Sequence, residues 1–324
     1  MKRIEFGELV IGEIARKNLM DVCETNWASG GPKVKEFESQ WDKLFDYKKS
    51  VAMSSGTDGV LNACLALYDL KNAKRNVSEV IVPALSFIAT SNSVRAAGLV
   101  PKFVDIKRET LNIDESKIEE AINENTVAII AVHTMGRMAE MDTIWEIAKR
   151  HNLIMIEDAC EAHGAKFKDK LVGHWGDMSI YSFYIAHLVC CGEGGMVSTN
   201  DQNIANILTS TRSHGRPHNS IYFDHLRTGL NSKMNDLEAS IGLEAISVFW
   251  NTFWTRHKFM KTIRTSCEGY ENVAWFSEED ENNVNCPHGF SVTCKKEGDI
   301  EFIKEALDRY NIHHKRNFGC IPTQ

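Results

Sequence analysis

Short apolar segments alternate with amphipathic segments through much of the first half of the chain. The amphipathic segments carry apolar residues at helical spacing, so the pattern predicts strands and helices in alternation. Strands that are apolar on both faces need cover on both sides, which is typical of a mostly parallel sheet in an α/β protein. The predicted strands are EVIVP, VPKFVDI, TVAIIAVH and NLIMIED, and the predicted helices between them span residues 88–97, 115–123 and 142–151.

The segments outside this alternating part predict a second, smaller unit. Helical spacing occurs before the strand-like KSVAMS, directly after it, and again in the second half of the chain. The order strand, strand, helix follows the last long helix and is typical of a small α+β domain. The predicted helices span residues 8–21, 33–46, 58–70, 203–214, 236–271 and 299–310, and the predicted late strands are NVAWF and GFSVTCK.

We therefore expect a large α/β domain at residues 1–249 and a small α+β domain at residues 250–324. The last segment, FGCIPTQ, has the pattern of a strand and a loop and closes no element. We expect the small domain to be incomplete at its carboxyl end and to expose apolar surface. The aromatic run FWNTFW at residues 249–254 predicts contact with a second copy or with the small domain.

The charge and composition exclude several classes of protein. The chain has 324 residues and a net charge of -7, which is unfavourable for binding nucleic acid or an anionic membrane. No apolar run approaches the roughly 18–20 residues that a membrane span needs, and MKRIEFGELV lacks the apolar core of a signal peptide. We expect a cytoplasmic protein with mostly reduced cysteines. No Cys-x-x-Cys or His-Glu-x-x-His occurs, so no metal site is predicted.

Residues 176–199 join two predicted strands through an irregular turn that is rich in glycine. The first strand is Met178–Ser182, the second spans residues 196–199, and Gly192–Gly195 lies before the second. Glycine permits positive φ and a close approach between the backbone and a ligand. This turn is therefore a candidate part of a ligand site.

Two further segments end at places where ligands are commonly bound. Ser55, Gly56 and Thr57 stand at the start of a predicted helix, where N–H groups and a hydroxyl can hold an anion. A plain helix cap by Ser55 or Thr57 is the alternative. Phe87 lies just after EVIVPALS, at the carboxyl end of a strand, where α/β ligand sites gather. The alternative is a phenylalanine of the core.

Asp158 ends the apolar strand NLIMIED, so its carboxylate is expected at the carboxyl edge of the sheet. Glu157 is expected to point to the other face, because side chains alternate along a strand. A carboxylate at the position of Asp158 can keep a pyridine nitrogen protonated, and capping of the next turn is the alternative. His163 either orients this carboxylate or packs in the core.

Six blocks of the sequence resemble, in the same order, the DegT/StrS family of sugar aminotransferases. The resemblance implies fold-type I architecture, pyridoxal 5'-phosphate (PLP) or pyridoxamine 5'-phosphate (PMP) as cofactor, and a nucleotide-linked keto-sugar as substrate. It also implies a homodimer with sites at the interface. The blocks are VIVPALSFIATSNSVRAAGLVPKFVDI, IIAVHTMGRMAEMDTIWEIAKRHNLIMIEDACEAHGA, GDMSIYSF, GEGGMVST, RSHGR and GLNSKMNDLEASIGL.

The resemblance implies roles for individual residues of these blocks and of the helix start before them. Phe87 would stack on the pyridine ring, and Asp158 would pair with the ring nitrogen. Glu161 stands where the family often has glutamine beside the ring hydroxyl. Asn231 would reach the cofactor phosphate of the neighbouring subunit. The residues that would bind the phosphate within the subunit are Gly56, Thr57 and Ser182.

His187 departs from the family frame Ser-Phe-x-x-x-Lys, whose first two positions are Ser182 and Phe183. A transaminase needs an amine at the last position to bond covalently to the cofactor. Imidazole cannot do so, but it can act as a base near neutral pH. The resemblance extends to a branch with this same exchange, the nucleotide-sugar 3-dehydratases, in which PMP condenses with a 4-keto sugar and the C3 hydroxyl leaves.

These observations predict PLP/PMP-dependent removal of the 3-hydroxyl from a nucleotide-linked 4-keto-6-deoxyhexose, with glutamate as amino donor. Two alternatives stay open, namely a sugar aminotransferase without the covalent lysine and an inactive cofactor-binding or regulatory homologue. No Cys-x-Cys follows Cys160, which speaks against the iron–sulfur cluster of one dehydratase subgroup. We expect the cleft at the carboxyl ends of the strands bearing Phe87 and Asp158, with His187 on the same side of the sheet.

Overall fold

The strands of the structure, a computed structural model, form one large sheet and two small ones. The structure describes residues 7, 9–217, 224–280, 282–296, 298–318 and 321. The strands are β1 (Lys49–Met53), β2 (Glu79–Pro83), β3 (Val100–Val104), β4 (Thr126–Val132), β5 (Ile154–Asp158), β6 (Lys166–Phe167), β7 (Lys170–Leu171), β8 (Met178–Ser182), β9 (Gly195–Thr199), β10 (Ala274–Phe276) and β11 (Val292–Cys294).

The large sheet has seven strands in the order β1-β9-β8-β5-β4-β2-β3. Neighbours from β3 to β8 are parallel, whereas β9 runs antiparallel to both β8 and β1. Parallel strands require crossover connections, and helices provide them from β2 to β3, from β3 to β4 and from β4 to β5, whereas β6 and β7 lie between β5 and β8. The prediction of a mostly parallel sheet is confirmed.

The helices cover both faces of the large sheet. They are α1 (Glu13–Thr25), α2 (Pro32–Phe45), α3 (Gly56–Lys71), α4 (Ala89–Ala96), α5 (Ile118–Ala121), α6 (Met141–Arg150), α7 (Gln202–Arg212), α8 (Asp236–Ser247), α9 (Phe249–Ser266) and α10 (Asp299–Arg309), with 3₁₀ turns at Glu115–Lys117 and Thr134–Gly136.

Two buried apolar clusters lie on opposite faces of the sheet because alternate residues of each strand point to opposite sides. On one face, residues of α3, α4 and α7 pack against strand residues such as Val80 and Ile180. On the other face, residues of α2, α6, α8 and α9 pack against residues such as Ile81 and Tyr181. This double cover explains why β2 and β4 carry apolar residues on both faces.

The predicted long helix at residues 236–271 is wrong as a single element. Val248 has φ -111° and ψ 7°, outside the helical region, and it separates α8 from α9. The break is accompanied by burial of Phe249 and Phe253 in the core. The aromatic run is thus largely packed within its own chain, although Trp254 remains 50% exposed. The helix predicted at residues 115–123 is a 3₁₀ turn followed by the single turn of α5.

The last described part of the chain contains the antiparallel pair β10–β11 and the amphipathic helix α10. In α10 no residue is fully buried, and Phe302 is 73% exposed. Ile321 lies next to the end of β2, since its N–H donates to the carbonyl of Ala84 at 2.8 Å. Among the described residues, no helix has both the length and the apolar character needed to cross a membrane.

Candidate functional site

The start of α3 lies against the carboxyl end of β8 and leaves no room for a side chain at Gly56. A Cβ on Gly56 would lie 2.7 Å from Cβ of Ser182 and 3.2 Å from Sγ of Cys160. Ser55 caps the helix by accepting a hydrogen bond from the N–H of Asp58 at 3.0 Å. The N–H groups of Gly56 and Thr57 precede this first capped donor, at the positive end of the helix. This end is a cradle for an anion.

The carboxylate of Asp158 is buried at the end of β5, next to this cradle. Its Oδ2 accepts a hydrogen bond from the hydroxyl of Thr90 at 3.1 Å, and its Oδ1 accepts one from the N–H of Cys160 at 3.3 Å. The second contact is the turn cap that the sequence left open as an alternative. Burial raises the pKa of Asp158, and the charge of Glu161 adds to the rise. A cationic N–H facing this carboxylate would offset the cost of its burial.

Glu157 points to the opposite face of the sheet, as predicted, and has a structural role there. Its two oxygens accept hydrogen bonds from the N–H groups of Gly173, Trp175 and Gly176 at 2.6 to 2.9 Å. Its Oε2 also lies 3.0 Å from Nε2 of His133. The His133 and backbone hydrogen bonds hold the pKa of Glu157 below its usual value even though burial alone would raise it strongly.

Phe87 and Thr57 border the same edge of the sheet. Phe87 is 56% exposed and its ring centroid lies 5.9 Å from that of Phe318, so it is not the core residue of the alternative interpretation. Thr57 is joined to the helix that follows Phe87, because the hydroxyl of Ser93 donates to the carbonyl of Thr57 at 3.2 Å. The exposed Phe87 ring is therefore available to a flat ligand.

His187 follows β8 and lies in a group of three histidines. Its ring centroid is 5.7 Å from that of His163 and 5.2 Å from that of His288, and the latter pair is stacked at 29°. The pKa of His187 is held well below its usual value, first by burial and then by the charges of His288 and His163. The ring is therefore neutral near pH 7 and can accept a proton.

His163 packs in the core and does not contact Asp158 among the described hydrogen bonds. It is 1% exposed, and its ring lies edge-on to those of Trp41, Tyr181 and Phe183. Burial lowers the pKa of His163 to about 3. Of the two predicted alternatives, the packing role is the one that the contacts support.

Glu161 is engaged by the protein at both carboxylate oxygens. Oε2 accepts a hydrogen bond from the N–H of Met135 at 2.6 Å, and Oε1 lies 3.5 Å from Nε2 of His288. A contact between Glu161 and the hydroxyl of a ring would have to share these partners. Glu161 thus links the turn Thr134–Gly136 to the histidine group.

Asn231 lies on a segment that runs beside the residues just before α3, since the carbonyl of the adjacent Ser232 accepts a hydrogen bond from the N–H of Ser54 at 2.9 Å. It is exposed, and its segment pairs with the rest of the chain through bridges between Asn231 and Ser213 and between Lys233 and Met53. The expectation that Asn231 completes the site of a neighbouring subunit stays a prediction. The remaining predicted residues are brought together at the carboxyl ends of β2, β5 and β8 and at the start of α3.

The structure adds two residues that the sequence analysis did not identify, Thr90 and His288. Thr90 lies three residues after Phe87 in the same loop-to-helix segment, and this closeness was a usable signal. His288 lies in NVNCPHGF, far along the chain, and no periodicity or spacing connects it to His187. In the described part of the chain, no group of three or more His, Cys, Asp or Glu side chains has the placement of a metal site.

The residues at this edge fit a phosphate-bearing pyridine cofactor. The helix start at Gly56, closed by Ser182, suits the phosphate, and the buried carboxylate of Asp158 suits a protonated ring nitrogen. The exposed Phe87 suits the face of the ring. This edge of the sheet therefore combines an anion site, a buried carboxylate and an exposed aromatic ring.

Comparison with known proteins gives matches over nearly the whole chain. The GDP-perosamine synthase of Caulobacter vibrioides is 37% identical over 229 residues, which are 70% of this chain and 60% of that protein. The match thus spans less than two thirds of that relative's length.

Two solved structures of 3-dehydratases share the fold. The Escherichia coli GDP-4-keto-6-deoxy-D-mannose-3-dehydratase with bound hydrated PLP is 28% identical, with a TM-score of 0.87 over 95% of this chain and 83% of that one. A GDP-4-keto-6-deoxymannose-3-dehydratase with a trapped PLP-glutamate geminal diamine is 26% identical, with a TM-score of 0.89 over 98% and 87%.

The profile of one family covers residues 10–324, which include every predicted site residue. The fold agrees with this match, since the solved relatives share the seven-stranded sheet architecture at high TM-score. The chain therefore belongs to the DegT/DnrJ/EryC1/StrS aminotransferase family.

Proposed function

We propose that this protein is a PLP/PMP-dependent sugar dehydratase that removes the 3-hydroxyl of a nucleotide-linked 4-keto-6-deoxyhexose. The observation that carries the proposal is the buried, neutral imidazole of His187 at the position where the family frame has lysine. An imidazole can move a proton but cannot form the covalent C=N bond of a transaminase lysine. The fold shared with two 3-dehydratases that carry PLP supports the same assignment.

The residues of the cleft divide the work between binding and proton transfer. When bound, the cofactor would supply an amine that condenses with the sugar ketone and a ring that accepts electrons. The α3 start with Gly56, Thr57 and Ser182 would hold the phosphate. Asp158 would keep the ring nitrogen protonated and so sustain the electron-accepting property of the ring.

His187 suits two successive proton transfers at neighbouring atoms. Its neutral ring can take a proton from the carbon that carries the cofactor amine. Burial and the neighbouring histidines disfavour the resulting imidazolium, so the ring gives the proton up readily. The C3 hydroxyl of the sugar would accept this proton and leave as water.

The overall reaction balances with glutamate as the amino donor. One glutamate and one 4-keto sugar give 2-oxoglutarate, ammonia and a 3-deoxy-4-keto sugar that lacks one oxygen atom of the substrate. Glutamate would supply the amino group of the cofactor in each cycle, and a similar protein solved with a PLP-glutamate geminal diamine supports this donor.

A sugar aminotransferase is the second candidate. The family description and the similarity to a GDP-perosamine synthase favour it. An aminotransferase would replace the ketone oxygen of the sugar by an amine and would release no ammonia. An inactive cofactor-binding homologue would bind PLP and change no sugar.

Mass spectrometry of the products distinguishes these candidates. The protein is incubated with PLP, glutamate and a panel of nucleotide-linked 4-keto-6-deoxy sugars. We expect a product that lacks one oxygen atom, formed together with 2-oxoglutarate and ammonia. An amino sugar as main product would contradict the dehydratase proposal. The proposal would also be contradicted if the protein binds PLP but converts none of the sugars.

A further inference from the structure

The loop that carries His288 docks on the turn Thr134–Gly136 through backbone contacts. The N–H of Cys286 donates to the carbonyl of Gly136 at 2.9 Å, and the N–H of His288 donates to the carbonyl of Cys286 at 2.8 Å. Gly136 has φ +84°, and a Cβ there would lie 2.2 Å from the carbonyl oxygen of Cys286. The close approach therefore depends on glycine at position 136.

The same turn also holds Glu161, which faces His288. The N–H of Met135 donates to Oε2 of Glu161 at 2.6 Å, and the other oxygen lies 3.5 Å from Nε2 of His288. His288 is 7% exposed, so its ring has little freedom to turn away. The turn thus fixes both the loop of His288 and the carboxylate that its ring faces.

The ring of His288 in turn covers the ring of His187. The two centroids are 5.2 Å apart with an interplanar angle of 29°. His163 lies on the chain after β5 at 5.7 Å, and Tyr184 lies edge-on at 6.3 Å. Among the described residues, the titratable groups that face His187 are therefore His288, His163 and Tyr184, with Glu161 behind His288.

We propose that His288, oriented by Glu161, is a positioning residue that fixes the ring plane of His187 and keeps that ring in its neutral form. The part that concerns turnover rests on the proposed dehydratase function. The part that concerns the state of His187 does not, because it is a property of the protein alone. A charge on His288 disfavours a second charge on the stacked ring of His187.

Imidazole NMR tests this proposal without substrate or cofactor. Protein with ¹⁵N-labelled histidine is titrated between about pH 5 and pH 8, a range that spans the ordinary titration of histidine, and the His187 signals are assigned by their loss in His187→Asn. In the wild type we expect one neutral form of His187 throughout. In His288→Phe, which keeps a flat ring but carries no charge, we expect His187 to become protonated at a higher pH than in the wild type.

Two further variants separate positioning from charge. His288→Ala removes the stacked ring, so the His187 signals should broaden or split. Glu161→Gln keeps an acceptor for the N–H of Met135 but removes the charge beside His288. We expect it to broaden or split the His187 signals less than His288→Ala does. His257→Phe is the matched control, because His257 also pairs with a carboxylate, that of Glu279 at 2.9 Å, and stacks on Phe253. It should leave His187 unchanged.

The outcomes distinguish a failed inference from a failed function. Unchanged His187 signals in His288→Phe and His288→Ala, with melting curves that show folded protein, would overturn the inference whatever the reaction is. If the wild type forms the 3-deoxy product, His288→Ala should lower its turnover by about 10²-fold, the usual cost of a misplaced catalytic group, while PLP affinity stays the same. Full turnover by His288→Ala would also overturn the inference. Absence of any 3-deoxy product in the wild type would refute the proposed function alone.

Discussion

At the scale of single residues, the chemistry of the site depends on which side chain stands at position 187. A lysine there could form a C=N bond with a carbonyl group, whereas the imidazole of His187 cannot form that bond but can transfer a proton. The surrounding contacts favour the neutral ring, because burial and two histidines disfavour its protonation. In the proposed function, this one side chain separates two reaction classes on the same fold.

Substitution of His187 should separate binding from turnover. His187→Asn should keep PLP binding, since the proposed phosphate, ring and nitrogen contacts lie elsewhere. It should lower turnover by roughly 10²–10⁴-fold, the usual contribution of a general base. PLP binding is followed by absorbance and 3-deoxy sugar by mass spectrometry.

A matched control and a second variant sharpen the test. His151→Asn removes a histidine that is bonded to Glu119 at the surface, 2.9 Å away, and should leave turnover unchanged. His187→Lys should create a covalent cofactor link that borohydride traps and that absorbs visible light. Full formation of the 3-deoxy sugar by His187→Asn would show that another group is the base.

The residues of the site were predictable from the sequence where they stand at the first or last position of a strand or helix. Asp158 ends an apolar strand and Gly56 begins a helix, so both positions follow from periodicity and from the general location of α/β ligand sites. His288 was not predictable, since the docking of its loop depends on a backbone contact with Gly136. The trans role of Asn231 came from family resemblance and not from a local pattern.

At the scale of elements, the start of α3 is held so close to β8 that helix propensity and packing act in opposite directions at Gly56. Alanine at a helical position is more stable than glycine by up to about 1 kcal/mol. Here its Cβ would come within 2.7 Å of Ser182, closer than real contacts allow. We therefore expect Gly56→Ala to lower both the melting temperature and the affinity for PLP.

Gly298→Ala is the control for that substitution. Gly298 also lies at the start of a helix, α10, and a Cβ there would meet nothing within 4 Å. It should be neutral or slightly stabilising. An equal effect of the two alanines on melting and on PLP affinity would contradict the cradle described at α3.

The elements themselves were predicted with unequal success, and the reason is physical. EVIVP and Met178–Ser182 have the predicted bounds, and four of the five residues in each strand are buried, as expected for strands that are covered on both faces. The division between α8 and α9 was missed because residues on both sides of Val248 keep helical spacing. In the structure, the non-helical φ and ψ of Val248 mark the division, and Phe249 and Phe253 after it are buried in the core.

At the scale of the whole molecule, we predict a homodimer in which Asn231 completes the site of the partner subunit. Mixing two inactive variants tests this. In a mixed dimer of His187→Asn and Asn231→Ala, one site would carry both defects and the other none. Random mixing should therefore restore about a quarter of the wild-type activity, since half of the dimers would be mixed.

The control for this mixture pairs two defects that belong to one subunit's face of the site. His187→Asn mixed with Asp158→Asn should restore nothing, because each site of the mixed dimer keeps one defect. If Asn231→Ala behaves like that control, or if the protein sediments as a monomer at micromolar concentration, the shared site is refuted.

Acid should destabilise the whole molecule through its buried histidines. Burial lowers the pKa of His163 to about 3, whereas in the unfolded chain it is about 6.5. The neutral His163 therefore makes its full contribution to the free energy of unfolding above about pH 6.5. This contribution is lost as the pH falls toward the pKa of the folded state, because only the unfolded state binds the proton. Denaturant titrations at several pH values below about 6.5 measure the free energy of unfolding. His163→Phe should reduce the slope of this free energy against pH by about 1.4 kcal/mol per pH unit. An unchanged slope would contradict a neutral His163.

The opposed carboxylates of Glu157 and Asp158 have a consequence for how such a protein can change in evolution. Glu157 anchors the loop before β8 with three backbone hydrogen bonds, and Asp158 faces the cleft from the next position of the same strand. A one-residue insertion in β5 would exchange them, losing the anchor and the cleft carboxylate together. New activities are therefore expected to arise by single replacements in the loops after β5 and β8, where Glu161 and His187 stand, and lineages with a changed length of β5 should be rare.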